Sequence, residues 1–265
     1  MGHGLPATKA PAGVVYAEEA AVALVSTGLV APIIAIVDKA IFSNASGKEP
    51  LGASLKHSVA AVVGRPMAFL RGPSFWWIWL VYGGTYTIAN WTTVACERRG
   101  APADLPKFVA TSTANVSLSV VKDRAFSRMY GVVAPKPVPL PSLALFAGRD
   151  SLSILASFIL PAAIADHLVA HHGMARRRAD LLAQLTVPLA AQAASTPAHL
   201  LGMDLYNRTG VSPASRAAFI AREYLKTTAA RMARILPAFG AGGVLNTRLR
   251  EAAHSFRVRE YGYLL

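Results

Sequence analysis

The chain has 265 residues, 53% of them hydrophobic and only 15% charged, with a mean hydropathy of +0.38 and a formal charge of +13. Soluble domains carry about 25% charged residues, so the deficit points to lipid. The bases sit in short groups between apolar runs, which excludes the continuous basic face of a nucleic-acid binder and suits anionic lipid headgroups. One cysteine, Cys96, excludes an intrachain disulfide and a thiolate metal site.

Residues 1–14 form an N-terminal extension. It lacks the charged region and apolar core of a secretory signal, and Pro6 stands where a myristoylation motif needs Ser or Thr. Six apolar segments follow, at about 17–42, 74–96, 105–128, 150–171, 180–205 and 231–254, each near the roughly 20 residues that cross a bilayer. The second, with tryptophans near both ends, is the clearest. The first, third and fifth are rich in small residues, which suits close helix packing inside a bundle.

Connections after the even segments are short. Those after the odd segments are long, and two of them, 51–63 and 215–232, are amphipathic enough to lie in the interface as helices. The third, around 134–149, is punctuated by prolines and predicts only one or two helical turns. The long connections hold 16 Lys and Arg against 11 on the other side, which places them on the negative side of the membrane with both termini opposite.

The pattern of spanning helix, surface helix, spanning helix occurs three times, over about 15–97, 104–172 and 178–256, within a single domain of 15–258; residues 259–265 form a tail. Each odd segment ends alike: Pro32 then Asp38 and Phe42; Ser117 then Asp123 and Phe126; Pro197 then Asp204 and Tyr206. The acids are offset by 85 and 81 residues. They are expected at solvated helix ends, bonded to Lys39, Arg124 or Arg208. Stretches 69–75, 146–152 and 231–237 precede the even segments.

This architecture resembles the mitochondrial carrier family. The resemblance implies an all-α membrane protein of six transmembrane helices in three pseudo-repeats with short in-plane helices. It implies the mitochondrial inner membrane, termini toward the intermembrane space. The family's odd-helix signature, a Pro followed by an acid and a base, is degenerate here: Pro32, Ser117, Ser119, Lys122, Pro197 and His199 occupy places in or beside it, and no acid of the gate remains. The resemblance also implies cardiolipin bound at helix N-termini, at Leu70, Arg71 and Gly72 and at Phe146 and Gly148. Polar residues within the spans, Tyr86, Asn90, Asn115, Gln184, Gln192 and Asn246, are candidates for a central cavity or for hydrogen bonds between helices.

His167, His171 and His172 read as interfacial histidines rather than metal ligands. No phosphate loop, carboxylate pair or nucleophile–base constellation marks an enzyme, and no cofactor beyond bound lipid is implied. Two functions remain open. The degenerate gate favours an accessory subunit of a respiratory-chain complex that has lost transport, its cavity filled by the tryptophan-rich second helix or a partner. The alternative is a divergent solute carrier exchanging a small metabolite.

Overall fold

The computed structural model describes residues 11–134, 136–235, 237 and 241–261. Residues 1–10 of the extension and 262–265 of the tail lie outside the described residues. The described residues are all-helical, without strands. The helices are α1 (Ala12–Ala45), α2 (Leu51–Gly64), α3 (Pro66–Leu70), α4 (Pro73–Arg98), α5 (Asp104–Tyr130), α6 (Leu140–Phe158), α7 (Leu160–His172), α8 (Arg176–Asn207), α9 (Pro213–Ile235) and α10 (Gly242–Tyr261).

Among the described residues, by length and composition only α1 is clearly apolar enough to cross a membrane, and α6 with α7 passes as one span bent by 45°. Helices form at the second, third and fifth expected segments but are less apolar, and the segment expected at 231–254 takes in the end of α9 and the start of α10, with residues outside the described ones between them. α4 holds Trp, Tyr and Thr, while α5 and α8 carry charged groups inside their length. The break between α6 and α7 falls at Ile159, where φ is −111° and ψ is −55°, beside Pro161, which cannot donate a backbone hydrogen bond. The proline-punctuated connection is more helical than expected, since α6 begins at Leu140 and runs through it.

The helices pack in a ring: α1 on α4, α4 on α5, α5 on α6, α6 on α8, α8 on α9 and α9 on α1, with α1 also touching α5 and α8. α10 packs against α1, and α7 against α8. Two tryptophans fasten α4 to α1, Trp79 Nε1 donating to Leu24 O and Trp91 Nε1 to Tyr16 O, each at 2.8 Å. The two helices approach so closely at Gly83 that a Cβ there would lie 2.9 Å from Leu24 Cδ2. Trp76 is 50% exposed on the outer face, so the tryptophan-rich helix staples the wall and does not fill the centre.

Packing is uneven along the helices. Every buried residue of α5 lies between Asn115 and Ser127, and none between residues 104 and 114. In α8 buried residues recur on every turn from Pro188 onward, while nearer the N-terminus only Ala179 and Ala183 are covered, by their contact with α7. α5 and α8 thus pack closely toward the end carrying the long connections and are less covered toward the end carrying the termini, where α1, α4 and α10 remain packed together.

Candidate functional site

At the end carrying the long connections, charged side chains from five helices meet away from solvent. Lys122 of α5 reaches across to α1, its Nζ 2.9 Å from Asp38 Oδ2, and also lies 2.7 Å from Asp123 Oδ1. Arg234, in the last turn of α9, bonds the other oxygen of Asp38 at 2.6 Å. Arg149 of α6 donates to Asp123, and to both oxygens of Asp150 at 2.9 and 2.8 Å. Its Nη1 lies 2.7 Å from His199 Nδ1 on α8. A guanidinium can only donate, so Nδ1 is the acceptor and the ring proton sits on Nε2. Asp38, Asp123, Lys122, Arg149 and His199 are all buried.

Burying ions costs several kcal/mol each unless partners replace water. Here each carboxylate of the layer meets at least one cation, and the pairs bridge α1 to α5, α1 to α9 and α5 to α6. Asp38 and Asp123 are therefore not solvated helix ends. Asp204 is buried as well, and it binds Arg208, as expected, and Arg216.

Beneath this layer lies an aromatic floor. The Phe42 ring stands edge-on to Phe126 and His199, with centroids 5.3 and 5.1 Å apart, and 6.4 Å from Phe146. Lys122 Nζ sits 5.4 Å from the Phe42 centroid and 5.2 Å from that of Phe126, so its charge is held by ring faces as well as carboxylates. The floor fits against a bare stretch of α8: a Cβ on Gly202 would lie 2.6 Å from Phe146 Cε1. Gly202→Ala is expected to force that ring aside at a cost of about 1–3 kcal/mol. A lowered Tm of the purified protein, with the neighbouring Gly148→Ala unchanged because nothing lies within 4 Å of that position, is the check.

Below the floor, hydrogen bonds close the ring. Ser46 Oγ donates to Tyr130 O at 2.6 Å, the Val132 amide to Asn207 Oδ1 at 3.1 Å, and Asn44 Nδ2 to Glu223 Oε2 at 2.7 Å. Burial alone would raise the pKa of Glu223, but donation from Lys226, Asn44 and Arg222 outweighs it and holds the carboxyl below its ordinary value of 4.5. A lowered folded pKa stabilises above the unfolded value and ceases to do so as pH falls through the lowered one. The stability advantage of wild type over Glu223→Gln is therefore expected at neutral pH and should fade below about pH 4.5; Tm measured across pH 3–7 checks it.

Above the ionic layer is a small cavity of about 30 Å³, lined by Tyr82, Asn115, Ser119, Lys122, Asp150, Ser153, Gln192 and Arg234 with Ile78, Val81, Ile154 and Ile235. It has room for a water or two. Gln192 Nε2 donates to Ser153 Oγ at 3.2 Å, and Gln192 Oε1 accepts from Arg231 Nη2 at 2.9 Å. Farther toward the termini, Asn90 and Asn246 pair at 3.0 and 3.2 Å, Asn246 meets Ser26, and Arg250 bonds Glu19 at 2.6 Å. These bonds join α1, α4 and α10.

The candidates read from sequence therefore divide. Asn115, Ser119, Lys122 and Gln192 line the cavity, and His199 belongs to the layer below. Asn90 and Asn246 are a separate interhelical pair; the Tyr86 hydroxyl lies against Gly242 of α10. Gln184 and Pro197 are exposed, Pro32 stands inside α1, and Ser117 lines an outward apolar groove of about 800 Å³ with Trp76, Trp79, Leu80 and Leu118. Arg71 is exposed and Gly72 caps α4, but Phe146 and Gly148 lie in mid-helix α6, where no free amides face a phosphate. Phe146 is wholly buried in the floor. His167, His171 and His172 cluster at the exposed end of α7, with the first two ring centroids 4.4 Å apart.

Arg149, Arg231, Arg234 and the phenylalanine floor escaped the sequence reading. The signal was present in Lys122–Asp123 and Arg149–Asp150, adjacent opposite charges inside or beside apolar segments, where ionisable residues are functional by default.

Residues 22–254, nearly the whole chain, match the protein family described as probable citrulline exporters. The chain belongs to the probable citrulline exporter family. No curated protein matches it. Membership overturns the resemblance to the mitochondrial carriers, and with it the respiratory-chain accessory subunit; the cardiolipin expectation at Leu70–Gly72 and Phe146–Gly148 loses the resemblance it rested on. Helix, surface helix, helix with a bending proline is an arrangement that spanning bundles can reach without common motifs. The absent carrier gate was the mark of another family, not of a decayed one. An exporter of this family is a membrane protein.

Proposed function

We propose that the chain exports citrulline, or an amino acid like it, by alternating access, with the ionic layer and aromatic floor as the closed gate on the side of the long connections. The observation that carries this is the meeting of Asp38, Lys122, Asp123, Arg149, Asp150 and Arg234 under a polar cavity, where α1, α5, α6 and α9 come together. Alternating access needs two states of similar energy, each held by its own contacts. Ion pairs made between helices in one state and exchanged in the other meet that need. The lack of buried residues in the N-terminal half of α5 supports an opening on that side.

On this reading the apolar segments form a six-span bundle of three pseudo-repeats, α6 and α7 making one bent span. The inner mitochondrial membrane rested on the carrier resemblance; the charge asymmetry is independent of it and puts the long connections on the negative side, whichever membrane this is. The cavity is far smaller than the roughly 300–1,000 Å³ of a small-molecule site, which fits an occluded, empty state. The groove around Trp76 and Trp79 faces acyl chains. Purified protein in liposomes loaded with radiolabelled L-citrulline is expected to release it faster than protein-free liposomes and to be slowed by unlabelled citrulline outside. Equal release from both would sink the proposal.

A further inference from the structure

Each cation of the ionic layer touches a carboxylate except one. Lys122 has Asp38 and Asp123, Arg234 has Asp38, and Arg149 has Asp123 and Asp150. Arg231 has none among the described residues, although it is 2% exposed and the bulkiest of the fully buried side chains. Its Nη2 donates at 2.9 Å to Gln192 Oε1 and at 2.9 Å to Ser195 Oγ, and its Nε has no partner. Neutral oxygens satisfy donors but do not compensate a guanidinium that stays protonated throughout. The arrangement is that of an arginine waiting for a carboxylate, with an amide holding its place.

The place-holder stands at the cavity. Gln192 lines it, and its other amide atom reaches Ser153 on α6, three residues beyond Asp150, which lines the same cavity. One rotatable neutral side chain thus separates Arg231 from the space where a substrate would enter, and an acidic group lies across that space. An α-amino acid carries a carboxylate and an ammonium on one carbon, and this pairing of charges matches it. We propose that Arg231 receives the α-carboxylate of the transported amino acid after Gln192 turns away, with Asp150 facing the ammonium. The inference rests on the exporter reading and adds to it the group that is recognised: the amino-acid end of the solute, not the ureido end. Displacing Gln192 also frees Ser153 and disturbs the α6–α8 contact, so binding and gate opening become one event.

The test uses full-length protein in nanodiscs and reads the affinity of three probes from ligand-induced shifts in Tm. They are L-citrulline, L-citrullinamide, which lacks the carboxylate charge, and N-carbamoylputrescine, which lacks the carboxyl group. Wild type is expected to bind citrulline at least tenfold more tightly than either analogue. Gln192→Glu places a carboxylate against Arg231. It is expected to raise the ligand-free Tm and to weaken citrulline binding at least tenfold, so its loss of binding is not a loss of fold. Arg231→Gln is expected to bind all three alike. Wild type binding citrulline and citrullinamide equally would remove the carboxylate anchor and leave the exporter standing. Gln192→Glu binding citrulline as wild type does would overturn the anchor too. Wild type blind to all three probes would overturn both readings.

Discussion

Asp38→Ala is expected to abolish citrulline transport while leaving the protein in the membrane. Asp38 accepts from Lys122 at 2.9 Å and from Arg234 at 2.6 Å, so one carboxylate ties α1 to α5 and α9. Its removal leaves Arg234 without a carboxylate and Lys122 with Asp123 alone. Breaking a buried pair in this way costs about 3–5 kcal/mol, most of it the penalty of stranding the remaining charge. The cost falls on the state in which the layer is assembled, so the population moves toward the state in which Lys122 and Arg234 reach water. At about 1.4 kcal/mol per factor of ten, a shift of that size is on the order of 100- to 5,000-fold, comparable to or larger than the roughly 10- to 1,000-fold that separates a minor conformer from the major one. Cys96 is the only cysteine and lies near the end of α4, so a Cys96→Ala background permits a reporter cysteine at Ser127. Ser127 is buried beside Met203, and a thiol there is expected to be inert in the parent and labelled rapidly by a water-soluble maleimide once Asp38→Ala is added. The partner variant Asp38→Asn with Lys122→Met removes one charge of each sign. It is expected to recover stability without recovering transport, since the pair that must exchange is gone. Full transport by Asp38→Ala would show the layer to be structural alone.

Much of the fold was legible in local sequence. The surface helix expected at 51–63 is α2 at Leu51–Gly64, and the one expected at 215–232 is α9 at Pro213–Ile235, because amphipathic periodicity is a property of neighbours along the chain. The acids at Asp38, Asp123 and Asp204 were found by their repeat. Their partners were not, because Lys122 lies 84 residues from Asp38 and Arg234 lies 196 away. No spacing rule connects residues so far apart; only the ring of helices does. The same holds for the floor, where Phe146 comes from a stretch whose Phe-x-Gly spacing resembled a lipid motif. Gly148, two residues on, has open space beside it, and the glycine that packs against the phenylalanine ring is Gly202 on another helix. The broad class was readable because apolar length reports it directly. The family was not, since it resides in which polar groups meet.

The floor carries the second large expectation. Phe42→Ala deletes a ring that touches Phe126, Phe146, His199 and the ammonium of Lys122 at once. Truncating a buried phenylalanine costs about 3–5 kcal/mol when the site cannot collapse, and here the walls are helices held apart by their own ion pairs. The hole opens toward the connections, where water enters it and comes within reach of Lys122 and Asp38. Ion pairs lose strength as the effective dielectric rises, so the loss of an apolar side chain weakens the charged layer above. Phe42→Ala should then lower Tm and raise passive, uncompeted leakage of citrulline from liposomes, whereas Asp38→Asn with Lys122→Met leaves the floor intact and should not leak. Phe42→Leu, which fills most of the volume without a ring, should stop the leak but retain part of the loss in Tm, because Lys122 loses its aromatic face. If Phe42→Ala exports at the wild-type rate without leakage, the closure lies elsewhere than in the ring of Phe42, Phe126 and Phe146. If leakage appears only together with loss of the ion pairs, floor and layer act as one gate, and the energy of each belongs to the pair.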